Sequence, residues 1–151
     1  MALAAGTLAA GAVRAELDAC DAAAPARARL TVVVEGVRSS DGLMAFTLYP
    51  DDPKRFLVHR GQIGVLRTPA AAGATRICIA LPDAGVYSMV VYHDADGDHR
   101  FNRSAIGLPA EGYGFSNNPP SLLGLPSFKS TRFRTQAGDN TVRVRLHYPG
   151  G

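Results

Sequence analysis

Three aspartates and one asparagine stand close together beyond the middle of the chain. Asp94, Asp96, Asp98 and Asn102 lie within nine residues, with Gly97 among them. Carboxylates this close repel one another unless a cation or solvent separates them. Calcium prefers about six to eight oxygen ligands from carboxylates, amides, backbone carbonyls and water, and glycine permits the tight wrap that such a cage requires. The pattern therefore predicts a calcium site formed by Asp94, Asp96, Asp98 and Asn102.

Two other interpretations of this acidic loop stay open. Aspartates in turns often cap backbone amides, so the same residues could form a bare turn that holds no metal. A mixed nitrogen and oxygen set of His93, His99 and Asp94 would instead suit zinc or copper. If calcium binds, Glu111 or Asn117 could complete its shell from a later part of the loop.

A second candidate site follows at residues 111–118. Two glycines flank Tyr113, and Phe115 comes next. This run could present its aromatic rings to a glycan or peptide of the cell envelope, with Glu111, Tyr113, Phe115 and Asn117 as the ligand-binding set. Equally, Tyr113 and Phe115 could close the end of the fold while Asn117 and Asn118 bond to the backbone.

Catalysis has little support in the sequence. The chain contains no Gly-x-Ser-x-Gly, no His-Glu-x-x-His, no P-loop and no Cys-x-x-Cys motif. Glu111 and Asp98 could act as a pair of catalytic carboxylates in a hydrolase, but the sequence does not fix their separation. We therefore expect a protein that is not an enzyme.

The elements that must position the acidic loop are predicted to be β-strands. An apolar run at residues 86–92 delivers the loop to the end of a sheet, and the long segment before residue 131 is typical of a functional loop. Residues 30–37 and 43–49 are expected to form a hairpin across Asp41-Gly42. Residues 131–135 and 140–148 are expected to form a closing hairpin. Short alternating strands and abundant turns predict an all-β fold, an antiparallel β-sandwich of about seven strands with one long loop.

The closing hairpin would place four arginines on one exposed face. An anionic partner such as an envelope phosphate would relieve their repulsion, although a solvated face that binds nothing is the simpler interpretation. The four are Arg132, Arg134, Arg143 and Arg145.

The first residues predict export. Residues 1–15 resemble a secretory signal peptide with a cleavage site at Val13-Arg14-Ala15, although no basic residue follows Met1. An apolar N-terminal tail is the alternative, and the run is too short to span a bilayer. We expect a linker over residues 16–28, a sandwich over residues 29–149, and a periplasmic or secreted monomer. A net charge of +3 argues against a nucleic-acid partner.

The two cysteines fit the same compartment. Cys20 and Cys78 are the only cysteines in the chain, and an even count in an exported protein suggests a disulfide. Alternation along residues 75–81 places Cys78 on the outer face of its strand, so the bridge would strap the N-terminal segment across the outside of the sandwich. Two free buried thiols are the alternative.

A succession of short motifs gives the chain a family resemblance. It runs Tyr-His-Asp (92–94), Ala-Asp-Gly-Asp (95–98), Ile-Gly-Leu-Pro (106–109), Glu-Gly-Tyr-Gly-Phe-Ser-Asn-Asn (111–118) and Gly-Leu-Pro-Ser-Phe (124–128). From about residue 30 to residue 148 the chain resembles the bacterial exported family catalogued as domain of unknown function 2141. The resemblance implies a prealbumin-like or carboxypeptidase-regulatory-type sandwich and no established activity. The family's loop tends to end in Asp where this chain has Asn102, which would lower affinity for a cation.

Overall fold

A computed structural model describes residues 17–21, 26–102, 109–120 and 125–149. In these residues eight strands form two sheets, and one short helix, α1, spans Phe128–Thr131. The predicted all-β sandwich is confirmed. No helix among the described residues has the length and hydropathy needed to cross a bilayer. The strands are β1 (Ala28–Val37), β2 (Leu43–Pro50), β3 (Gly64–Pro69), β4 (Gly73–Leu81), β5 (Val86–Asp94), β6 (Tyr113–Phe115), β7 (Phe133–Arg134) and β8 (Gly138–Arg145).

The two sheets enclose one main core. The three-stranded sheet has the order β4-β1-β8, and the five-stranded sheet has the order β3-β2-β5-β6, with β7 also paired to β5. Leu30, Val32 and Val34 alternate along β1 and are fully buried, as the period of two predicts. Phe46 and Met89 meet them from the five-stranded sheet. Apolar burial between the sheets therefore holds the sandwich together.

The hairpin predicted between residues 30–37 and 43–49 is wrong. β1 pairs with β4 and β8, whereas β2 pairs with β3 and β5, so the two strands lie in opposite sheets. Gly42 has the positive φ of 64° that a hairpin turn would need. It lies instead in the segment that connects one sheet to the other. A Cβ at Gly42 would lie 2.1 Å from the backbone oxygen of Asp94, so the crossing segment packs directly against the end of β5.

The predicted closing hairpin is also wrong. β7 pairs with β5 in one sheet, and β8 runs parallel to β1 in the other. The Asn140 side chain closes the corner between them, because it accepts from the Gln136 amide at 2.8 Å and donates to the Gln136 carbonyl at 2.8 Å. Thr131, the first residue of the expected strand, is instead the last residue of α1.

The exposed arginine stripe built on that hairpin does not form as predicted. Arg132 makes a two-pronged salt bridge to Asp51, at 2.7 and 2.8 Å. Arg143 binds Glu35 at 2.8 Å. The four arginines are divided between the edges of two sheets, and the charge of two of them is already balanced.

The disulfide between Cys20 and Cys78 is formed, as predicted. The path of the N-terminal segment differs from the prediction, because the segment lies along the edge of β4 rather than across the sandwich. The Cys20 amide donates to the Cys78 carbonyl at 3.0 Å, and the Ala80 amide donates to Asp18 at 2.9 Å. Leu17 is buried in the main core, so part of the expected linker is attached to the sheet. The signal-peptide prediction falls on residues outside the described ones.

The outer face of the five-stranded sheet carries a second apolar cluster. Tyr49, Phe56 and Phe115 are buried there, and the Phe128 ring packs on Phe56 at 5.5 Å between centroids. β2 is therefore covered on both faces, which explains why it is apolar at nearly every position. Phe115 comes from β6, a short strand within the segment that the sequence predicted to be loop.

Candidate functional site: an acidic cluster at the end of β5

Four carboxylates meet where β5 ends. One oxygen from each can be chosen so that all lie within 4.8 Å of one another, and the group comprises Asp94, Asp96, Asp98 and Glu111. Three of them come from the predicted loop, and Glu111 joins them from the residues just before β6. Among the described residues no arginine, lysine or histidine forms a salt bridge with any of the four. The cluster therefore concentrates negative charge without a described cationic partner.

Asp94 is the buried centre of the cluster, with 0% of its surface exposed. The chain turns around it through Gly97 and His99, which have φ values of 69° and 62°. One carboxylate oxygen accepts from the Asp98 amide at 3.2 Å, and the other accepts from the His99 amide at 2.8 Å. The capping of backbone amides that a bare turn would show is thus present. A carboxylate offers about four acceptor sites, so these two backbone hydrogen bonds do not use all of its capacity.

Asn102 bridges two acids with its amide nitrogen. Its Nδ2 donates to Asp96 at 3.0 Å and to Glu111 at 3.1 Å, and its backbone amide donates to the other Glu111 oxygen at 3.1 Å. The sequence predicted that Asn102 would turn its oxygen to a cation. In this arrangement Asn102 instead relieves carboxylate repulsion, because N–H donors face two neighbouring negative oxygens.

Backbone pairing places Asp94 beside Glu111. The His93 amide donates to the Gly112 carbonyl at 2.8 Å, so the residues next to this pair, Asp94 and Glu111, are brought together. Gly112 packs closely against the Tyr148 ring, because a Cβ at this position would lie 2.5 Å from a ring carbon. The two buried acids are thus fixed by close backbone packing rather than by flexible loop geometry.

His93 is a structural residue in this site. Its Nε2 lies 2.7 Å from the Asp41 carbonyl, and its Nδ1 lies 2.8 Å from the Tyr148 hydroxyl. A carbonyl only accepts, so Nε2 carries the proton and donates, and Nδ1 accepts from Tyr148 in the neutral ring. The Tyr148 oxygen accepts in turn from the Arg38 amide at 3.1 Å. Both ring nitrogens are occupied, so the predicted zinc or copper set of His93, His99 and Asp94 is not assembled.

Electrostatics divide the cluster into two kinds of acid. Burial raises the pKa of Asp94, the hydrogen bond from the His99 amide opposes that rise, and the charges of Asp98 and Asp96 add to it. Burial also raises the pKa of Glu111, and the charges of Asp94 and Asp96 add to that rise. Asp96 is exposed, and the hydrogen bond from the Asp98 backbone amide lowers its pKa. The two buried acids therefore favour a neutralising proton or cation.

These shifts predict how stability changes with pH when chelator removes divalent cations. The pKa values of Asp94 and Glu111 are raised above the ordinary 3.8 and 4.5. At pH values above these, the folded state therefore binds more protons than the unfolded state. The free energy of unfolding consequently falls as pH rises in that range. The free energy of unfolding in EDTA should therefore rise as pH is lowered from 7 to 5. Asp96 and Asp51 have lowered pKa values, and their opposing effect is confined to lower pH.

Urea denaturation at pH 7 and pH 5 tests this dependence. The paired variant Asp94→Asn with Glu111→Gln should lose most of the rise, because it has no carboxyl left to protonate at the buried positions. An identical rise in wild type and variant would show that other groups cause it.

The side chains of the second candidate set, residues 111–118, contact mainly other parts of the protein. Phe115 is only 6% exposed and Tyr113 is half-buried, packed against Phe101 and Phe115. Asn117 donates to the carbonyls of Ser130 and Arg132 rather than reaching the acidic cluster. Asn118 exchanges hydrogen bonds with the backbone of Arg143 and Arg145. Of this set, only Glu111 joins the acidic cluster.

A family model described as "Uncharacterized protein conserved in bacteria (DUF2141)" matches residues 32–143. The chain belongs to this family. No curated protein and no solved structure matches the chain significantly.

The DUF2141 match covers the whole acidic cluster and most of both sheets. It includes β5, the acidic loop and β6, and it begins within β1. Cys20 and the segment that pairs with β4 lie outside the matched residues. The acidic cluster thus belongs to the family region, whereas one end of the disulfide does not.

Sequence reasoning missed the residues that position the cluster in this DUF2141 protein. Gly42, Gly112 and Tyr148 are distant in sequence from Asp94, Asp96 and Asp98, and only the fold brings them together. His93 is adjacent to Asp94, but its hydrogen bonds to Asp41 and Tyr148 depend on the fold. The glycine at residue 112 was visible inside the Glu-Gly-Tyr-Gly-Phe run, but its reason, the Tyr148 ring, lies in the last residues of the chain.

Proposed function

We propose that this DUF2141 protein is an exported, non-enzymatic β-sandwich whose acidic cluster binds calcium. One observation carries the proposal: four carboxylates converge within 4.8 Å, and two of them are buried. A buried carboxylate is costly unless a proton, a cation or strong hydrogen bonds compensate it. Calcium would compensate several at once and would tie the end of β5 to the residues before β6.

The ligand types support calcium over zinc or copper. The cluster consists of carboxylate oxygens, which suit calcium and magnesium, and it contains no thiolate or imidazole. Four carboxylates with backbone carbonyls and water can supply about six to eight oxygens. Calcium tolerates irregular geometry better than magnesium does, and this favours it at a site assembled from two chain segments.

Asn102 would change its role on calcium binding. Its Nδ2 now faces Asp96 and Glu111. A cation among the carboxylates would repel those N–H groups and attract the amide oxygen, so a half-turn of the amide would make Asn102 a ligand. The original prediction for Asn102 would then hold for the calcium-bound state.

Export is supported by the disulfide. Disulfides persist in the periplasm and outside the cell and are rare in the cytosol, and Cys20 and Cys78 are bonded here. The envelope glycan- or peptide-binding alternative receives less support, because Phe115 is buried. A hydrolase using Glu111 and Asp98 is likewise not favoured, since the Glu111 oxygens accept from Asn102.

Thermal unfolding with calcium and with EDTA tests the proposal. At calcium about 100-fold above Kd, binding should add about 2.7 kcal/mol of stability and raise Tm by several degrees. Asp96→Asn should remove most of this rise, because it takes one charge from the cluster. Asp139→Asn removes an exposed carboxylate on β8 that binds Arg29 and should leave the rise intact. Equal Tm in calcium and EDTA would refute the calcium site.

A further inference from the structure

A second polar site lies at the open edge of the sandwich, where β7 of one sheet faces β8 of the other. A cleft of about 280 Å³ occupies this edge. Charged, polar and apolar side chains line it, among them Arg134, Arg143, Phe133, Val142, Asn117 and Thr141. The acidic cluster does not contribute to it.

The cleft is positively charged. None of the described residues that line it is acidic. The Arg134 side chain forms neither a hydrogen bond nor a salt bridge with any described residue. The Arg143 side chain binds Glu35 through one terminal nitrogen only. The nearby carboxylate of Asp51 is already engaged by Arg132. Guanidinium groups that keep free donors are suited to bind carboxylate or phosphate oxygens.

Backbone N–H groups of β8 add hydrogen-bond donors on the same side. The Arg145 amide and the Arg143 carbonyl both bond to the Asn118 side chain. N–H and C=O groups of a strand alternate between its two edges, so odd-numbered residues of β8 direct theirs away from β1. The N–H groups of Thr141 and Arg143 consequently point towards the side on which the cleft lies.

We propose that this cleft binds a small organic oxyanion, a phosphate or carboxylate group attached to an apolar body. The oxyanion would lie between Arg134 and Arg143, and the apolar body would rest on Phe133 and Val142. Phe133 belongs to the main core, and Val142 packs against that core, so both present a fixed surface. A concave site with an apolar wall and a few convergent polar groups is typical of ligand sites.

Calorimetric titration of the full chain with three probes tests the proposal. Phenyl phosphate should bind with saturation, and inorganic phosphate should bind at least 5-fold more weakly because it lacks the apolar body. Benzoate separates the two oxyanions, since tighter binding of benzoate than of phenyl phosphate would assign the site to carboxylates. Absence of saturable binding by both aromatic probes would overturn the proposal.

Variants that are expected to weaken, leave unchanged or tighten phenyl phosphate binding locate the site. Arg134→Gln should weaken phenyl phosphate binding at least 10-fold, whereas Arg76→Gln, an exposed arginine on β4 at the opposite edge of the three-stranded sheet, should change it less than 2-fold. Glu35→Gln should tighten binding about 2- to 5-fold, because it releases Arg143. Equal losses in Arg134→Gln and Arg76→Gln would overturn the assignment.

Amide chemical shifts of the wild-type protein provide a test that needs no variant. Phenyl phosphate should shift resonances of residues 133–135 and 140–143 and leave the acidic loop unchanged. Shifts centred elsewhere on the surface would contradict the site.

Discussion

Removing the Cys20–Cys78 disulfide is expected to lower the free energy of unfolding by about 4 kcal/mol. The bond joins residues 58 positions apart, and on the chain-entropy model a loop of this length restricts the unfolded chain by roughly that amount. The Cα atoms are 5.3 Å apart, within the usual range for disulfides. Chemical denaturation of the paired variant Cys20→Ser with Cys78→Ser measures the loss.

Reduced wild type provides the control for that variant. Dithiothreitol should bring its stability to that of the paired variant, because both lack the same cross-link. A loss below about 1 kcal/mol in both would show that hydrogen bonds along β4 and the buried Leu17 hold the segment without the bond.

Gly42→Ala is expected to destabilise the protein by about 2–5 kcal/mol. The φ of 64° costs an alanine roughly 1–2 kcal/mol, and forcing atoms into a packed site costs about 1–3 kcal/mol more. Here the obstacle is the backbone at Asp94 and Ala95, at 2.1 and 2.6 Å from the added Cβ. Since that backbone carries the acidic cluster, the variant should also weaken calcium binding. Denaturation and calcium titration measure the two effects.

Gly73→Ala is the matched control for Gly42→Ala. Gly73 has a φ of 85° and also lies at a strand boundary, but its added Cβ would meet nothing within 4 Å. It should therefore cost only about 1–2 kcal/mol, from backbone strain alone, and leave calcium binding unchanged. Equal losses of stability in the two variants would show that close packing at the end of β5 does not contribute to the effect of Gly42→Ala.

The sequence predicted the strands much better than their partners. Alternation in β1 and the apolar run of β5 identify these strands locally, because periodicity reflects which faces are buried. Pairing depends on the opposite surface, which no local window contains. The Asp41-Gly42 pair resembles a hairpin turn between β1 and β2. Both edges of β2 are occupied by β3 and β5, however, so β1 lies in the other sheet. The prealbumin-like topology stays a prediction.

The same limit applies to the acidic cluster. Close spacing made Asp94, Asp96 and Asp98 visible as one group. Glu111 could only be suggested as a partner, since its approach depends on the pairing of His93 with Gly112. The orientation of the Asn102 amide could not be predicted either, because it depends on whether a proton, a donor or a cation neutralises the acids.

Isothermal titration of the chelator-treated protein with calcium measures whether the acidic cluster binds the cation. We expect one saturable site per chain. The paired variant Asp94→Asn with Glu111→Gln should abolish it, while Asp139→Asn should leave it unchanged. A folded wild-type protein that gives no saturable calcium heat, or the same heat in both variants, would contradict the claim that the cluster at the end of β5 is a calcium site.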